Sequence, residues 1–474
     1  MVKTKKSLTE GPIFFRLLLF TVPIMLSSLL QVAYNMVDSI IVGQYSGDEL
    51  ALAAIGSTGA LTSLIVNMLM GIATGAGVVI AQYYGAKDHD GVSKSIHTAM
   101  TFSVISGITL AVVAGLLSSP ILTWMNTRAE LFSRALLYFQ IICIGIPATT
   151  IYNFGNASLR SVGDSRTPLY ALILSSVIHI ILSILFVAIW KMGIAGVAIA
   201  TVLSQYISAA LVVSVLALRR GESYALKIKK MVIDAKILVR TLRYGLPTAV
   251  QTSLFSLSNV LITAAANELP PAVLSARTIG GQIDNLVYAM MDAYTYSTMT
   301  FVAQNYGAKK GGRIKKIMII ALIQVLIVGV GFGQIITALS PYLADLFMAA
   351  DLANRVEVAE HTVSLVTFFL SVYWMCGLMN TLSGILRGLG YPTAPTVIAI
   401  TGVCGLRIIW IYFFYPMEMF HSLNGLYMCY PVTWLFCVPA MAIALIIIWK
   451  KVKQELFNNS EDAQESTDAP VEAK

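Results

Sequence analysis

The chain has 474 residues, of which 57% are hydrophobic and 12% charged, and it carries a formal net charge of +8. A soluble globular protein carries roughly 25% charged residues, so the composition excludes an ordinary soluble domain. The charges are bunched in short stretches between apolar runs, most of them longer than the ~20 residues that cross a bilayer core.

Residues 1–13 form a basic leader that runs directly into an apolar segment. With no small-residue cleavage site, and too long for the apolar region of a secretory signal, that segment reads as a retained first helix. Apolar runs predict helices near 14–44, 50–81, 93–119, 131–156, 167–190 and 194–218. A basic stretch at 219–241 follows as a linker, and Ile228 to Leu242 fits a short amphipathic surface helix. A second set of helices is predicted near 242–266, 272–303, 315–340, 357–385, 393–415 and 422–449. Residues 451–474 form a tail whose acidic, Ser- and Ala-rich end fits a disordered segment. The fold class is an all-α polytopic membrane protein of twelve transmembrane helices, in two six-helix lobes at 14–218 and 242–450.

Charge placement sets the orientation. Of the 32 Lys and Arg residues, 26 fall on the side of the leader, the linker and the tail, with Arg160, Arg166 and Arg387 counted among them. Arg128, Arg134, Lys191 and Arg355 lie on the opposite side, and Arg277 and Arg407 fall within predicted helices. Such a bias places both termini in the cytoplasm of a cell with this protein in its inner membrane. Nucleic acid is excluded as a partner because the positive charge sits in short loops between membrane spans. Five scattered cysteines with no Cys-x-x-Cys or Cys/His spacing indicate neither a disulfide framework nor a metal site. No Walker motif or catalytic triad appears, so ATP drive, enzymatic chemistry and a cofactor are not expected.

The sequence repeats itself. Gln82-Tyr83-Tyr84-Gly85-Ala86-Lys87 returns as Gln304-Asn305-Tyr306-Gly307-Ala308-Lys309. Pro23 and Asn35 match Pro247 and Asn259, and Leu159-Arg160 with Gly163 and Pro168 match Leu386-Arg387 with Gly390 and Pro395. Three matches in order, with a slowly drifting offset, define two copies of a six-helix unit. An even number of helices per copy gives both copies one orientation, related by an axis along the membrane normal. Transporters built in this way bind cargo between the halves near the bilayer midplane and alternate access by rocking.

These motifs carry a resemblance. Pro23-Ile-Met through Tyr34-Asn35-Met36-Val37-Asp38-Ser39, Ala54-Ile55-Gly56, the two Gln-x-Tyr-Gly-Ala-Lys segments, the two Leu-Arg-x-x-Gly segments and Gly196-Val-Ala-Ile-Ala-Thr201 resemble the MATE family. The likeness spans roughly residues 12–450 and is nearest in texture to MepA-like and DinF-like bacterial members. It implies an antiporter that expels amphipathic or cationic organic compounds in exchange for H⁺ or Na⁺, working as a monomer in the lipid bilayer.

Asp38 is the leading site candidate. An ionisable side chain deep in an apolar helix is costly unless it faces the bundle interior or a cavity, and such residues mark ion and substrate pathways. Its repeat counterpart is Ile262, so the fold accepts an aliphatic residue at this place. Tyr34 and Asn35 share its helical face. The resemblance implies that Asp38 binds the coupling cation and that Pro23 permits a bend of the first helix. It also implies a role for the fifth helix, where many relatives carry Asn and Asp but this chain has His179 and Ser183. Thr201 on the sixth helix matches a family position near the same site. A hard cation prefers several oxygen ligands, whereas an imidazole suits a proton, so H⁺ is favoured over Na⁺. Core packing accounts equally well for His179.

Asn153, Asn156, Gln251, Asn259, Gln282, Asp284, Asp292 and Arg407 are candidates to line the cargo cavity. Arg407, in an otherwise apolar helix, is expected to need Asp284 or Asp292 as a partner, with a structural buried pair the leading reading. NorM-type relatives use acids where this chain has Phe255 and Cys376, a departure that argues against their Na⁺ site here. The rival function is a flippase for lipid-linked saccharides, whose central cavity would be more cationic.

Overall fold

A computed structural model of the chain describes residues 7–45, 50–348 and 354–465. Among these residues the regular structure is entirely helical. The long helices are α1 (Ile13–Tyr45), α2 (Ala51–Gly85) and α3 (His89–Leu116), then the short α4 (Ser118–Trp124), followed by α5 (Ala129–Ser161), α6 (Arg166–Ser183) and α7 (Gly193–Leu218). After the linker come α8 (Ala235–Ala266), α9 (Pro271–Gly307), α10 (Gly311–Phe347), α11 (Arg355–Ser371) and α12 (Trp374–Gly388). The chain ends in the short α13 (Thr393–Ala399), α14 (Leu406–Ile409) and α15 (Leu423–Tyr427) and the long α16 (Cys429–Glu465).

Ten of these helical segments are long and apolar enough to cross a membrane, and α11 with α12 makes an eleventh if the pair, bent by 46°, is one span. The twelfth expected span is α9, 37 residues long but less apolar than the others. Its polarity has a location: Asp284, Tyr288, Asp292 and Tyr296, spaced four apart, line a cavity from one face. Proline does not interrupt α1, which is helical through Pro23, where Ser27 Oγ donates to the Pro23 carbonyl at 2.9 Å. Wide turns of π-helix at Ile184–Ile189, Ile400–Gly405 and Trp410–Phe414 break the regular pitch after α6 and around α14.

The linker departs from its expected form. A single 3₁₀ turn at Ile228–Lys230 replaces the amphipathic helix, because Asp234 caps α8 by accepting from the Ile237 N–H at 3.1 Å. The linker is pinned to α3, where His97 Nε2 accepts from the Lys227 N–H at 3.0 Å and Thr98 Oγ1 from that of Asp234. The tail also differs, since α16 stays helical to Glu465. At the start of the chain, Lys310 and Arg313 donate to main-chain carbonyls of Thr9, Leu8, Glu10 and Gly11, tying residues 8–11 to the base of α10.

The two halves of the sequence exchange packing partners through their first helices. Leu17, Phe20 and Ile24 of α1 belong to the large core formed with α9, α10, α11, α12 and α16. Conversely, α8 lies along α2, where Gly71 meets Ala249 and Gly75 meets Gly245 backbone to backbone. A second core of α2, α3, α5 and α7 residues, with Phe154, Val212 and Leu216 at its centre, takes in Ala249 of α8.

At the C-terminal ends of α2 and α9 the repeated motif closes on itself. Gln82 Nε2 donates to the Gly388 carbonyl at 3.2 Å, and Gln304 Nε2 donates to the Ser161 carbonyl at 2.6 Å. Gln82 matches Gln304 in the repeat and Ser161 matches Gly388, so the two bonds are equivalent and run in opposite directions. Gly85 lies against the Gln304 carbonyl and Gly307 against that of Gln82, with no room for a Cβ at either. Arg240 Nη2 adds a bond to Gln82 Oε1 at 2.5 Å and lies over the Tyr83 ring.

Candidate functional site

Three adjoining cavities run through the middle of the helices, and Met70 of α2 lines all three. One of about 440 Å³ lies among α1, α2, α5, α6 and α7. A second, the central cavity, of about 160 Å³, lies between α1, α2, α5 and α9. The third, about 310 Å³, is walled by α2, α8, α9, α12 and α16. Asn153 is shared by the first two, and Asp292 by the second and third. The two larger volumes fall in the range that suits drug-sized molecules.

The first cavity adjoins a polar cluster built from distant parts of the sequence. The Tyr34 ring of α1 stacks on His179 of α6, with centroids 4.0 Å apart and planes 24° apart. His179 Nε2 lies 3.2 Å from Ser183 Oγ and 3.4 Å from Thr201 Oγ1 of α7. The Tyr34 hydroxyl and Ser204 Oγ are hydrogen-bonded at 2.9 Å. His179 and Ser183 are fully buried just before the π-helical turns, while Tyr34 and Thr201 face the cavity. Four of the six residues marked in the sequence as coupling candidates therefore meet in one place. The side chains of the other two, Asn35 and Asp38, lie outside the described residues, although both positions are in α1.

Seven of the eight cargo-cavity candidates line these spaces. Asn153 and Asn156 face the central cavity, and Gln251, Asn259, Asp284, Asp292 and Arg407 the third. Gln282 lines none of the three: two residues from Asp284 on α9, it points about 200° around the helix from that face.

The partner expected for Arg407 is corrected. Among the described residues it forms no ion pair with Asp284 or Asp292. Instead Arg407 Nη1 donates to Asn259 Oδ1 at 2.9 Å, and the guanidinium lies 4.2 Å over the Tyr430 ring. Asp284 Oδ1 accepts from the Tyr373 hydroxyl at 2.7 Å.

Two further arginines were counted in the sequence as loop charges, but they belong to the cleft. Arg160 lies in α5 and lines the central cavity, and Arg387 lies in α12 and lines the third. Their identical place in the repeat was the signal that could have found them. Among the described residues no group of three or more His, Cys, Asp or Glu is placed to hold a metal ion, and the five cysteines are free.

This arrangement, long helices around a polar central cleft with a duplicated motif closing one end, matches the sequence profile of the MatE family over residues 23–185 and 247–413. The chain belongs to the MatE family. Membership makes it a membrane transporter of the multidrug and toxic compound extrusion class and not an enzyme. A MATE relative, the probable multidrug resistance protein YoeA of Bacillus subtilis, is 28% identical over 95% of this chain and 97% of its own. The FAD transporter of Shewanella oneidensis is 22% identical over 91% and 94%. The same fold occurs in a solved outward-facing multidrug resistance MATE transporter of the MOP superfamily, with TM-score 0.86, 19% identity and coverage of 95% and 100%.

Proposed function

We propose that the protein is a proton-coupled antiporter that exports amphipathic organic compounds by alternating access. The observation that carries this reading is the Tyr34–His179–Ser183–Thr201 cluster beside the first cavity, whose Tyr34 is on the same helix as Asp38. An imidazole with hydroxyl neighbours suits a proton better than Na⁺, which takes several oxygen ligands. The wider spaces give the cargo a separate seat, so ion and cargo can compete through movement of α1. The relatives named for multidrug resistance support export as the direction.

The architecture in this reading is twelve spans in two six-helix lobes, with α9 the span whose polar face is turned to the cleft. The chain acts as a monomer, and its closed end, where α2 meets α9, faces the cytoplasm with both termini. Thiol labelling checks that orientation. A cysteine at Asn126, in the exposed turn before α5, should react with a membrane-impermeant reagent outside the cell. One at the exposed Arg220 should react only after the membrane is opened, and the reverse pattern would invert the topology.

Purified protein in liposomes decides the coupling. A pH gradient alone should drive uptake of a dye such as ethidium, and a sodium gradient alone should not. Uptake that requires Na⁺ and ignores pH would reject proton coupling.

The lipid-linked saccharide flippase remains a second reading because Arg160 and Arg387 make the cleft more cationic than the sequence indicated. It requires that deleting the gene alter surface polysaccharide while a broad dye panel shows no efflux.

A further inference from the structure

The charged wall of the cleft contains three arginines and two aspartates, namely Arg160, Arg387, Arg407, Asp284 and Asp292. Arg387 and Arg407 are buried, at 8% and 5% exposure, yet their side-chain partners are neutral. Arg387 Nη2 donates to Gln251 Oε1 at 2.9 Å, and Arg407 Nη1 donates to Asn259. The half-buried Arg160 lies 5.4 Å from the centre of the Tyr296 ring. None of the three has a carboxylate within 4.0 Å among the described residues, and the buried Nε of each has no hydrogen-bond acceptor there. An unpaired buried cation is costly, and a guanidinium offers a planar fork that matches carboxylate, sulfonate or phosphate oxygens.

Arg160 and Arg387 are also special as a pair. They occupy the same place in the two repeats, Arg160 lining the central cavity and Arg387 the third, and these cavities join at Asp292 and Tyr296, which line both. An anionic group at that junction would have a guanidinium from each half. The adjacent wall supplies flat apolar surface from Phe255, Tyr288, Tyr373, Tyr430 and Trp434.

We infer that the cleft binds aromatic amphiphiles that carry an anionic group, with Arg160 and Arg387 receiving the anion and the aromatic wall the ring system. Zwitterions fit both signs of charge in the wall, whereas purely cationic drugs bring no anion for either guanidinium to bind. This rests on the cleft being the cargo site, and it names the class of cargo.

A matched pair of dyes tests it. Rhodamine B has a free carboxylate, and its ethyl ester has the same rings and cationic charge without the anion. Fluorescence anisotropy with the full chain in phosphatidylcholine nanodiscs should give rhodamine B at least tenfold tighter binding. Arg387→Gln and Arg160→Gln should each reduce that preference by about tenfold, the scale of one charge-assisted bond. Arg160 is half-buried, so Arg160→Gln carries the test if Arg387→Gln fails to fold. Equal binding of the two dyes, tighter binding of the ester, or a preference unchanged by Arg160→Gln would overturn the proposal. Gradient-driven uptake is measured separately, so absence of uptake alongside an intact carboxylate preference would reject the antiporter reading and support the anion site.

Discussion

Asp38→Asn should reduce gradient-driven efflux to the level of empty liposomes while leaving cargo binding within about twofold of wild type. An acidic residue at the centre of a membrane helix costs about 3 kcal/mol on insertion scales, so it persists where it is used. The repeat itself provides the structural control. Ile262, the counterpart of Asp38 on α8, is buried in an apolar core, so this place in the unit folds well without a charge. Around α1, the Tyr34 ring stacks on His179 beside the hydroxyls of Ser183, Thr201 and Ser204, an imidazole-centred setting that suits a proton. Asparagine preserves the size of the side chain and removes only the titrating proton. Binding is read by dye anisotropy in nanodiscs and coupling by proton-driven uptake in liposomes. Uptake by Asp38→Asn at the wild-type rate would sink the proton mechanism; loss of binding and uptake together would make Asp38 a folding or cargo residue instead.

The repeat was legible in the sequence down to backbone conformation. Lys87 and Lys309, matched by the motif, share φ values of 60° and 55°, and Gly163 and Gly390 share 87° and 89°. Turn chemistry recurs because the same residues must end the same helices. The polar cluster was legible in part, since Tyr34, His179, Ser183 and Thr201 are rare polar side chains in apolar helices, and burial forces such groups together. The charged lining was not. Arg160 and Arg387 stand near the ends of apolar runs, where hydropathy cannot separate a loop charge from one turned inward beneath α9. Asp284 and Asp292 were found as isolated acids, but pairing Arg407 with either required a distance, and Asn259 and Tyr430 were nearer partners. Gln282 failed on helical phase, because being two residues from a cavity-facing position puts a side chain on the far side. The break before α12 has no proline or glycine to announce it, as Val372 and Tyr373 occupy the bend.

Gly85→Val and Gly307→Val should each abolish most transport by holding the α2–α9 end apart, and their effects should be similar. The similarity follows from geometry: a Cβ on Gly85 would occupy the Gln304 carbonyl, and one on Gly307 the carbonyl of Gln82. The obstacle is main chain on both sides, so no rotamer relieves it. Overpacking of this kind costs about 1–3 kcal/mol, and about 1.4 kcal/mol shifts an equilibrium tenfold. The equivalent bonds from Gln82 to Gly388 and from Gln304 to Ser161 would be lost with the approach. Because alternating access needs this end to close once per cycle, a tenfold or greater loss of the closed state should slow turnover by a similar factor. A reporter cysteine distinguishes this from misfolding. Thr300, which lines the central cavity and is buried, should resist an impermeant thiol reagent as Thr300→Cys in an otherwise wild-type background. Adding Gly307→Val should make the same cysteine reactive from the cytoplasmic face, with dye binding still measurable in nanodiscs. Wild-type transport by Gly307→Val with the reporter still protected would show that the motif contact is not the closure on which the cycle depends.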